Sequence, residues 1–464
     1  MKKILLFVSV FVFVFVFVFV TPVSAQYPSW VKKAQKSIFK VVTYSADGNR
    51  IGEACGFYTD KNQGVAPYSI FLKATKAIIY DESGKETTVE SIISANEMYD
   101  LIRFNISNKK ATPLTIAEAP AAEGEEIWVV TSPDQATKGY SGKILKTETF
   151  KEKYTYYTTS LNKDGSDKAN TILEGCPVFN GKGEVISVMQ QSANSRNTEQ
   201  HYSVSAPYAM SLEINWLAVN SEDMRNILIK PTLSDVEEQA FLSMTLAAST
   251  LPIDRFKVLV EDFIAKFPKS ADGYAARARI LVNEKNYDAA ETEIQKAYEL
   301  NPLPMYKNQK SKLYISKALD LIGQQKYRDG VLALNTAEEL STDTLDENFY
   351  YVREQAEANS RMFQQALNDL AKLITLNDSN VLYYAEKARV HYIVNQYDEA
   401  IETAKTCIKL TPDYDEIHLI YGLALIGKGS KAEGMKELEE AKRLGSPQAD
   451  KFIQKTRNAN EQNE

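Results

Sequence analysis

The chain has 464 residues, 44% of them hydrophobic and 25% charged, with 20 glycines and 15 prolines; this is the composition of two or three ordinary globular domains and excludes the disordered and collagen-like classes. Its 54 basic and 61 acidic residues give a net charge of −7 with no basic stripe, which argues against nucleic acid as a partner. Three histidines (His201, His391, His418) and three scattered cysteines (Cys55, Cys176, Cys407) form no metal constellation, disulfide scaffold or Cys-x-x-Cys pair, so no cofactor is expected.

Met1-Lys2-Lys3, the apolar run Ile4–Val20 interrupted only by Ser9, and Val23-Ser24-Ala25 read as a cleaved secretory signal over 1–25, with Gln26 the first mature residue. Losing Lys2 and Lys3 leaves 52 basic against 61 acidic residues, a mature charge of −9. The expected location is the periplasm or the extracellular space. The rival reading is an uncleaved anchor: the run of 17 residues falls just short of the roughly 18–20 that span a bilayer, and only in that case is a membrane a partner.

From 26 to 226, short runs rich in Val, Ile, Tyr and Phe alternate with turn clusters such as Asp81-Glu82-Ser83-Gly84 and Asn180-Gly181-Lys182-Gly183. This spacing predicts antiparallel hairpins closing into a barrel or sandwich, with no helical pattern before Ala206–Ala218. Five segments in order, Gly52–Tyr58, Ala74–Ile79, Tyr99–Phe104, Gly139–Ile144 and Glu174–Ile186, resemble the trypsin-like serine proteases of the high-temperature-requirement type. The resemblance covers about 190 residues and implies a double β-barrel. It also places the catalytic triad: the histidine position falls at or near Ile70, the aspartate at Asp100 and the serine at Glu174, with Ile172 at the glycine that would donate an oxyanion-hole N–H. Such catalysis needs a hydroxyl nucleophile, an imidazole base and an orienting carboxylate. No histidine precedes residue 201, so no shift of alignment supplies the base. The expectation is a non-catalytic relative, with Asp100 a bonded strand residue and Glu174 a solvated loop residue.

Asp100 and Glu174 as a working carboxylate pair, and Cys176 as a nucleophile, are weaker alternatives, because neither has the partners its chemistry needs. The resemblance brings the segments of Cys55 and Cys176 together and so allows a disulfide between them in an oxidising compartment. His201 is expected to be exposed at a strand end.

Residues 227–234, containing Lys230-Pro231-Thr232, read as a linker. From 235 to 446 a repeat appears: Asn286-Tyr287-Asp288, Lys326-Tyr327-Arg328, Met362-Phe363-Gln364, Gln396-Tyr397-Asp398 and Ser430-Lys431-Ala432 recur at intervals of 40, 36, 34 and 34. With small residues at Ala278, Ala318, Ala388 and Gly422 and again at Ala290, Gly330, Ala366, Ala400 and Gly434, this resembles the tetratricopeptide repeat, about six helix pairs in an α-α superhelix. Residues 447–464 read as a capping helix and polar tail.

The repeat family implies a groove lined by first helices that takes a peptide or protein partner. Its lining here would include Ile315, Leu319, Ile322, Tyr351, Gln355, Arg389, Tyr392, Leu419 and Leu423, without the Lys and Asn pattern that clamps a C-terminal carboxylate. The fold class expected is an all-β trypsin-like double barrel followed by an all-α solenoid. The function expected is that of an exported scaffold; the alternatives are an active exported endopeptidase with an unidentified site and a membrane-anchored scaffold.

Overall fold

The computed structural model describes residues 27–107, 110–136, 138–162, 171–191, 200–215 and 221–461; the run Ile4–Val20 and the cleavage position at Gln26 lie outside them. The chain divides into two compact units between Leu251 and Pro252.

The first unit holds twelve strands: β1 (Ile38–Tyr44), β2 (Arg50–Asp60), β3 (Gln63–Ala66), β4 (Lys76–Tyr80), β5 (Glu86–Asn96), β6 (Leu101–Ile106), β7 (Glu126–Val130), β8 (Gly139–Phe150), β9 (Tyr154–Leu161), β10 (Pro177–Phe179), β11 (Val185–Met189) and β12 (Gln200–Ser205). They close as two antiparallel barrels, β1-β2-β3-β6-β5-β4 and, in the same order, β7-β8-β9-β12-β11-β10. Among the described strands, closure leaves no sheet edge to pair with another chain. This is the double barrel that the five-segment resemblance implies. The turn clusters act as read: between β4 and β5, Asp81 Oδ1 accepts from the Ser83 and Lys85 N–H groups at 2.9 and 3.0 Å, and Gly84 takes φ +76°.

Phe39, Phe71 and Phe104 fill the first barrel, with ring centroids 5.5–6.4 Å apart. Ile38, Phe57 and Leu101 instead join Val178, Phe179 and Val185 in a core shared by both barrels. Burying each of the larger side chains contributes about 1.5–3 kcal/mol. Beside that core Trp30 meets Trp128 edge-on at 6.1 Å and Phe179 at 4.9 Å, and lies flat over Gly183, where a Cβ would come within 2.9 Å of the indole.

Four short helices belong to this unit: α1 (Val31–Ala34), α2 (Ala206–Met210), α3 (Glu222–Arg225) and α4 (Glu237–Ala247). The helix expected over 206–218 ends at Met210, because the Ser211 hydroxyl turns back onto the Tyr208 carbonyl at 2.7 Å; residues 216–220 lie outside the described ones. The segment 227–234 is stitched to β5. The Ile92 N–H donates to the Lys230 carbonyl at 2.9 Å and the Thr232 N–H to the Ile92 carbonyl at 2.7 Å, while Ile227 and Ile229 are buried in the first barrel's core.

The second unit holds α5 (Ile253–Lys266), α6 (Ala271–Asn283), α7 (Tyr287–Leu300), α8 (Pro304–Gly323), α9 (Tyr327–Leu340), α10 (Glu347–Asn359), α11 (Phe363–Leu376), α12 (Val381–Ile393), α13 (Tyr397–Leu410), α14 (Asp415–Lys428), α15 (Lys431–Arg443) and α16 (Ala449–Glu461). Helices α6 to α15 form five antiparallel pairs. Small residues set the crossings: Ala278, Ala290, Ala318, Ala366, Ala388 and Ala400 are fully buried, and a Cβ on Gly434 would stand 2.6 Å from the Gly422 carbonyl oxygen. Each first helix is ended by a residue in the left-handed region, Lys285, Gln325, Arg361, Asn395 and then Gly429. That conformation lets the chain reverse into the second helix of the pair.

Candidate functional site

Asp100, expected on a strand, instead closes the turn before β6, set by Asn96, whose Oδ1 accepts the Tyr99 N–H at 2.9 Å; it takes φ +47°, which Asp tolerates better than most residues. This conformation aims its carboxylate at the short helical turn Ser69–Phe71 after β3. Asp100 Oδ1 accepts the Ser69 N–H at 2.7 Å and Oδ2 faces the Ser69 hydroxyl at 3.2 Å. On the other side the same hydroxyl lies 3.0 Å from Glu174 Oε1. Asp100 and Glu174 are thus brought together from the two barrels through one hydroxyl. The residue between them is Ser69, where sequence reading put Ile70. Ile70 points the other way: it is buried, its Cβ would lie 3.1 Å from one on Gly52, and its carbonyl accepts from the Thr43 hydroxyl at 2.5 Å.

Glu174 is half-buried rather than solvated. Its turn is fixed by Gly175 at φ +79°, where a Cβ would come within 2.0 Å of the Cys55 carbonyl oxygen, and by the Cys55 N–H, which donates to the Glu174 carbonyl at 3.0 Å. Burial raises both the Asp100 and the Glu174 carboxyls above the ordinary range; Ser69 opposes this at both, and the Asp100 charge adds to it at Glu174. Neither has an ion pair with a lysine or arginine among the described residues. The Ile172 N–H donates to Gln135 Oε1 at 3.4 Å and is so occupied by the protein itself.

Cys55 and Cys176 stand side by side, both fully buried, as free thiols rather than a bridge. Burial, and then the neighbouring Cys176, push the Cys55 thiol well up, away from the nucleophilic thiolate. The Cys176 thiol donates to the Ile172 carbonyl at 3.6 Å. His201, expected to be exposed, is buried on β12, where its carbonyl accepts from the Thr159 hydroxyl at 3.3 Å; the pairing of β12 with β9 carries it inside. His418 is held between Glu437 at 2.7 Å and the Pro412 carbonyl at 2.8 Å, and His391 bonds Gln396 at 2.7 Å.

The expected groove residues sort into two sets. Leu319, Tyr351 and Arg389 present exposed surface, and Ile315 lines a cavity of about 300 Å³ with Leu319, Phe349 and Val352. The others are committed to packing. Ile322 lies on Gly330, Tyr392 packs on α13 with its ring 6.1 Å from Tyr397, and the Gln355 amide donates to Glu354 at 2.8 Å. Leu419 and Leu423 are covered by α15 and α16, because α16 stands where a further first helix would.

Sequence reading missed an adjoining cavity of about 550 Å³ lined by Arg279, Asn283, Met305, Asn308 and Lys312. Its signal was the interval of 40 residues between the first two repeat marks, which α8 fills with 20 helical residues. Equally unforeseen is a buried ionic cluster. Arg353 donates to both Asp369 oxygens at 2.6 and 2.8 Å and also bonds Glu338, while Glu354 Oε1 and Glu357 Oε2 are buried without a hydrogen-bond partner. Burial raises Glu354 to about 7 and Glu357 to about 8, with Asp369 adding to the rise at Glu357.

Residues 271–302 and 385–449 match tetratricopeptide repeat families. Among curated proteins, the small glutamine-rich tetratricopeptide repeat-containing protein 2 of Saccharomyces cerevisiae is 27% identical over 73 residues, 16% of this chain. The matched part is 21% of that relative's own length. Among solved structures, the active form of the Rv3671c protease from M. tuberculosis is 14% identical at a TM-score of 0.34, covering 40% of this chain and 84% of that one. An inactive form of the same protease is 16% identical at a TM-score of 0.31, covering 39% and 89%. The chain thus joins two closed six-stranded β-barrels to tetratricopeptide repeats, and the repeats support protein–protein interaction.

Proposed function

We propose that the protein is an exported scaffold whose double barrel no longer cleaves peptides and whose repeats hold a partner protein or peptide along their first helices. The observation that carries this reading is Ser69 standing beside Asp100 where the general base of a triad would be, with Glu174 in place of the nucleophile. A serine hydroxyl cannot take a proton from a nucleophile near neutral pH, and the oxyanion-hole amide at Ile172 is already bonded. The apolar start of the chain supports export, and Leu319, exposed in the cavity at Ile315, together with the exposed Tyr351 of α10, supports peptide capture by an apolar anchor.

The purified mature chain, incubated with unfolded casein and a serine-reactive fluorophosphonate, is expected to show neither turnover nor labelling. One observation favours a second reading, an active hydrolase: Ser69 lies within hydrogen-bond reach of two carboxyl groups, either of which could act as a base. Labelling that disappears in Ser69→Ala would establish that reading and overturn the first. N-terminal sequencing of the exported chain is expected to begin at Gln26; an intact Met1 in the membrane fraction would replace export by anchoring.

A further inference from the structure

We propose that the cleft between the barrels holds one shared proton, strung from the Glu174 carboxyl through the Ser69 hydroxyl to the Asp100 carboxylate, and that this proton ties the two barrels together in a pH-dependent way. Ser69 Oγ lies 3.0 Å from Glu174 Oε1 and 3.2 Å from Asp100 Oδ2. A hydroxyl has one hydrogen to give. With both carboxylates ionised, one of the two contacts would set oxygen lone pairs against each other with no hydrogen between them. A single added proton makes both contacts hydrogen bonds.

Geometry assigns the proton's place. Asp100 also accepts the Ser69 N–H at 2.7 Å, a bond that favours its charged form and has no counterpart at Glu174 among the described residues, so Asp100 is the anionic end. The Glu174 carboxyl receives no backbone N–H and no lysine or arginine among the described residues, so ionising it would leave a half-buried charge without a counter-charge. The charged and titratable groups near this set, among the described residues, include the Cys55 and Cys176 thiols from β2 and the Glu174 turn, Tyr68 with Glu97, Asp223 and Glu222 on the Asp100 side, and Asp134, whose charge is met by Lys40 at 2.9 Å. None brings an unpaired cation to Glu174. Burial acts in the same direction on both carboxyls.

Ser69 and Asp100 belong to the first barrel and Glu174 to the turn before β10 of the second. Loss of the proton places two carboxylates on one hydroxyl and strains the adjoining Cys55 N–H to Glu174 carbonyl bond. The proton's presence does not depend on whether the cleft cuts peptides.

Hydrogen exchange of the full chain, followed by mass spectrometry on peptides covering Ser69 and Glu174 and corrected for the intrinsic pH effect, tests this. Protection in the wild type is expected to fall about tenfold or more as pH rises past the ordinary carboxylate range. Glu174→Gln, whose amide donates to Ser69 at every pH, is expected to keep its protection throughout, and Ser69→Ala to lack it already at acid pH. Tryptophan emission at acid pH verifies that each variant is folded. Wild-type protection that does not change with pH, a Gln variant that falls like the wild type, or a Ser69→Ala variant protected like the wild type would each overturn the proposal. So would wild-type protection restored at high pH by calcium chloride, which would make the bridging species a cation.

Discussion

Raising the pH from about 6 to about 8 is expected to loosen the middle of the repeat unit, because Glu354 and Glu357 must ionise inside it. Unfolded, both carboxyls have their ordinary value of 4.5 and are charged across this range; folded, burial holds them near 7 and 8. A carboxyl raised by folding binds its proton more tightly in the folded chain, so its contribution falls as pH climbs from 4.5 through the folded value. At about 1.36 kcal/mol per pH unit, the loss between pH 6 and 8 is roughly 2 kcal/mol from Glu357 and somewhat over 1 kcal/mol from Glu354, about 3 kcal/mol together. That corresponds to an opening equilibrium larger by two orders of magnitude or more. Hydrogen exchange on peptides from α10 and α11 in the full chain, corrected for intrinsic rates, measures it directly. The double variant Glu354→Gln with Glu357→Gln keeps the shapes and removes the titration, so its α10 protection is expected to stay level. A double variant that loses as much protection as the wild type, or a wild type that loses none, would refute this account.

Three further outcomes follow from contacts already described. Arg353→Met is expected to destabilise the repeats by about 3–5 kcal/mol, read from urea unfolding by far-ultraviolet circular dichroism, because it leaves Asp369 buried without its bidentate partner. Gln325→Gly is expected to raise stability by up to about 1 kcal/mol in the same assay, since the strain of a side chain at φ +63° outweighs the unfolded-chain entropy that glycine adds. Gly175→Ala is expected to lower the thermal midpoint of the double barrel, because its Cβ would meet the Cys55 carbonyl at 2.0 Å in a left-handed backbone; an unchanged midpoint would show that the Glu174 turn is not fixed as described.

Much of the architecture is legible because it rests on local chemistry. The Asp81–Gly84 cluster makes its turn from its own side chains, and the repeat interval recurs in the left-handed residues from Lys285 to Gly429. Of the candidate site, the sequence supplies the two carboxyls, Asp100 and Glu174, but not the side chain they share: only the three-residue turn at Ser69–Phe71 settles that Ser69 and not Ile70 faces them. No periodicity runs through so short a turn. His201 shows the complementary failure: a strand end looks exposed in sequence, while its burial depends on β9, some 40 residues away, at Thr159. Leu419 and Leu423 look like groove positions because the repeat register says so. Their cover, α16, comes from a segment that carries no repeat signature.

The placement of Trp30 and Trp128 against the shared core of the barrels has a practical side. The third tryptophan, Trp216, also precedes Leu251, and the sequence has none beyond it, whereas the second unit is built wholly of helices among the described residues. Light absorbed by tryptophan therefore reports on the first unit alone, while the far-ultraviolet helix signal comes mainly from the repeats. One intact chain carries two separate optical reporters, so the order in which its halves melt, and any dependence of one on the other, can be read without cutting the protein in two.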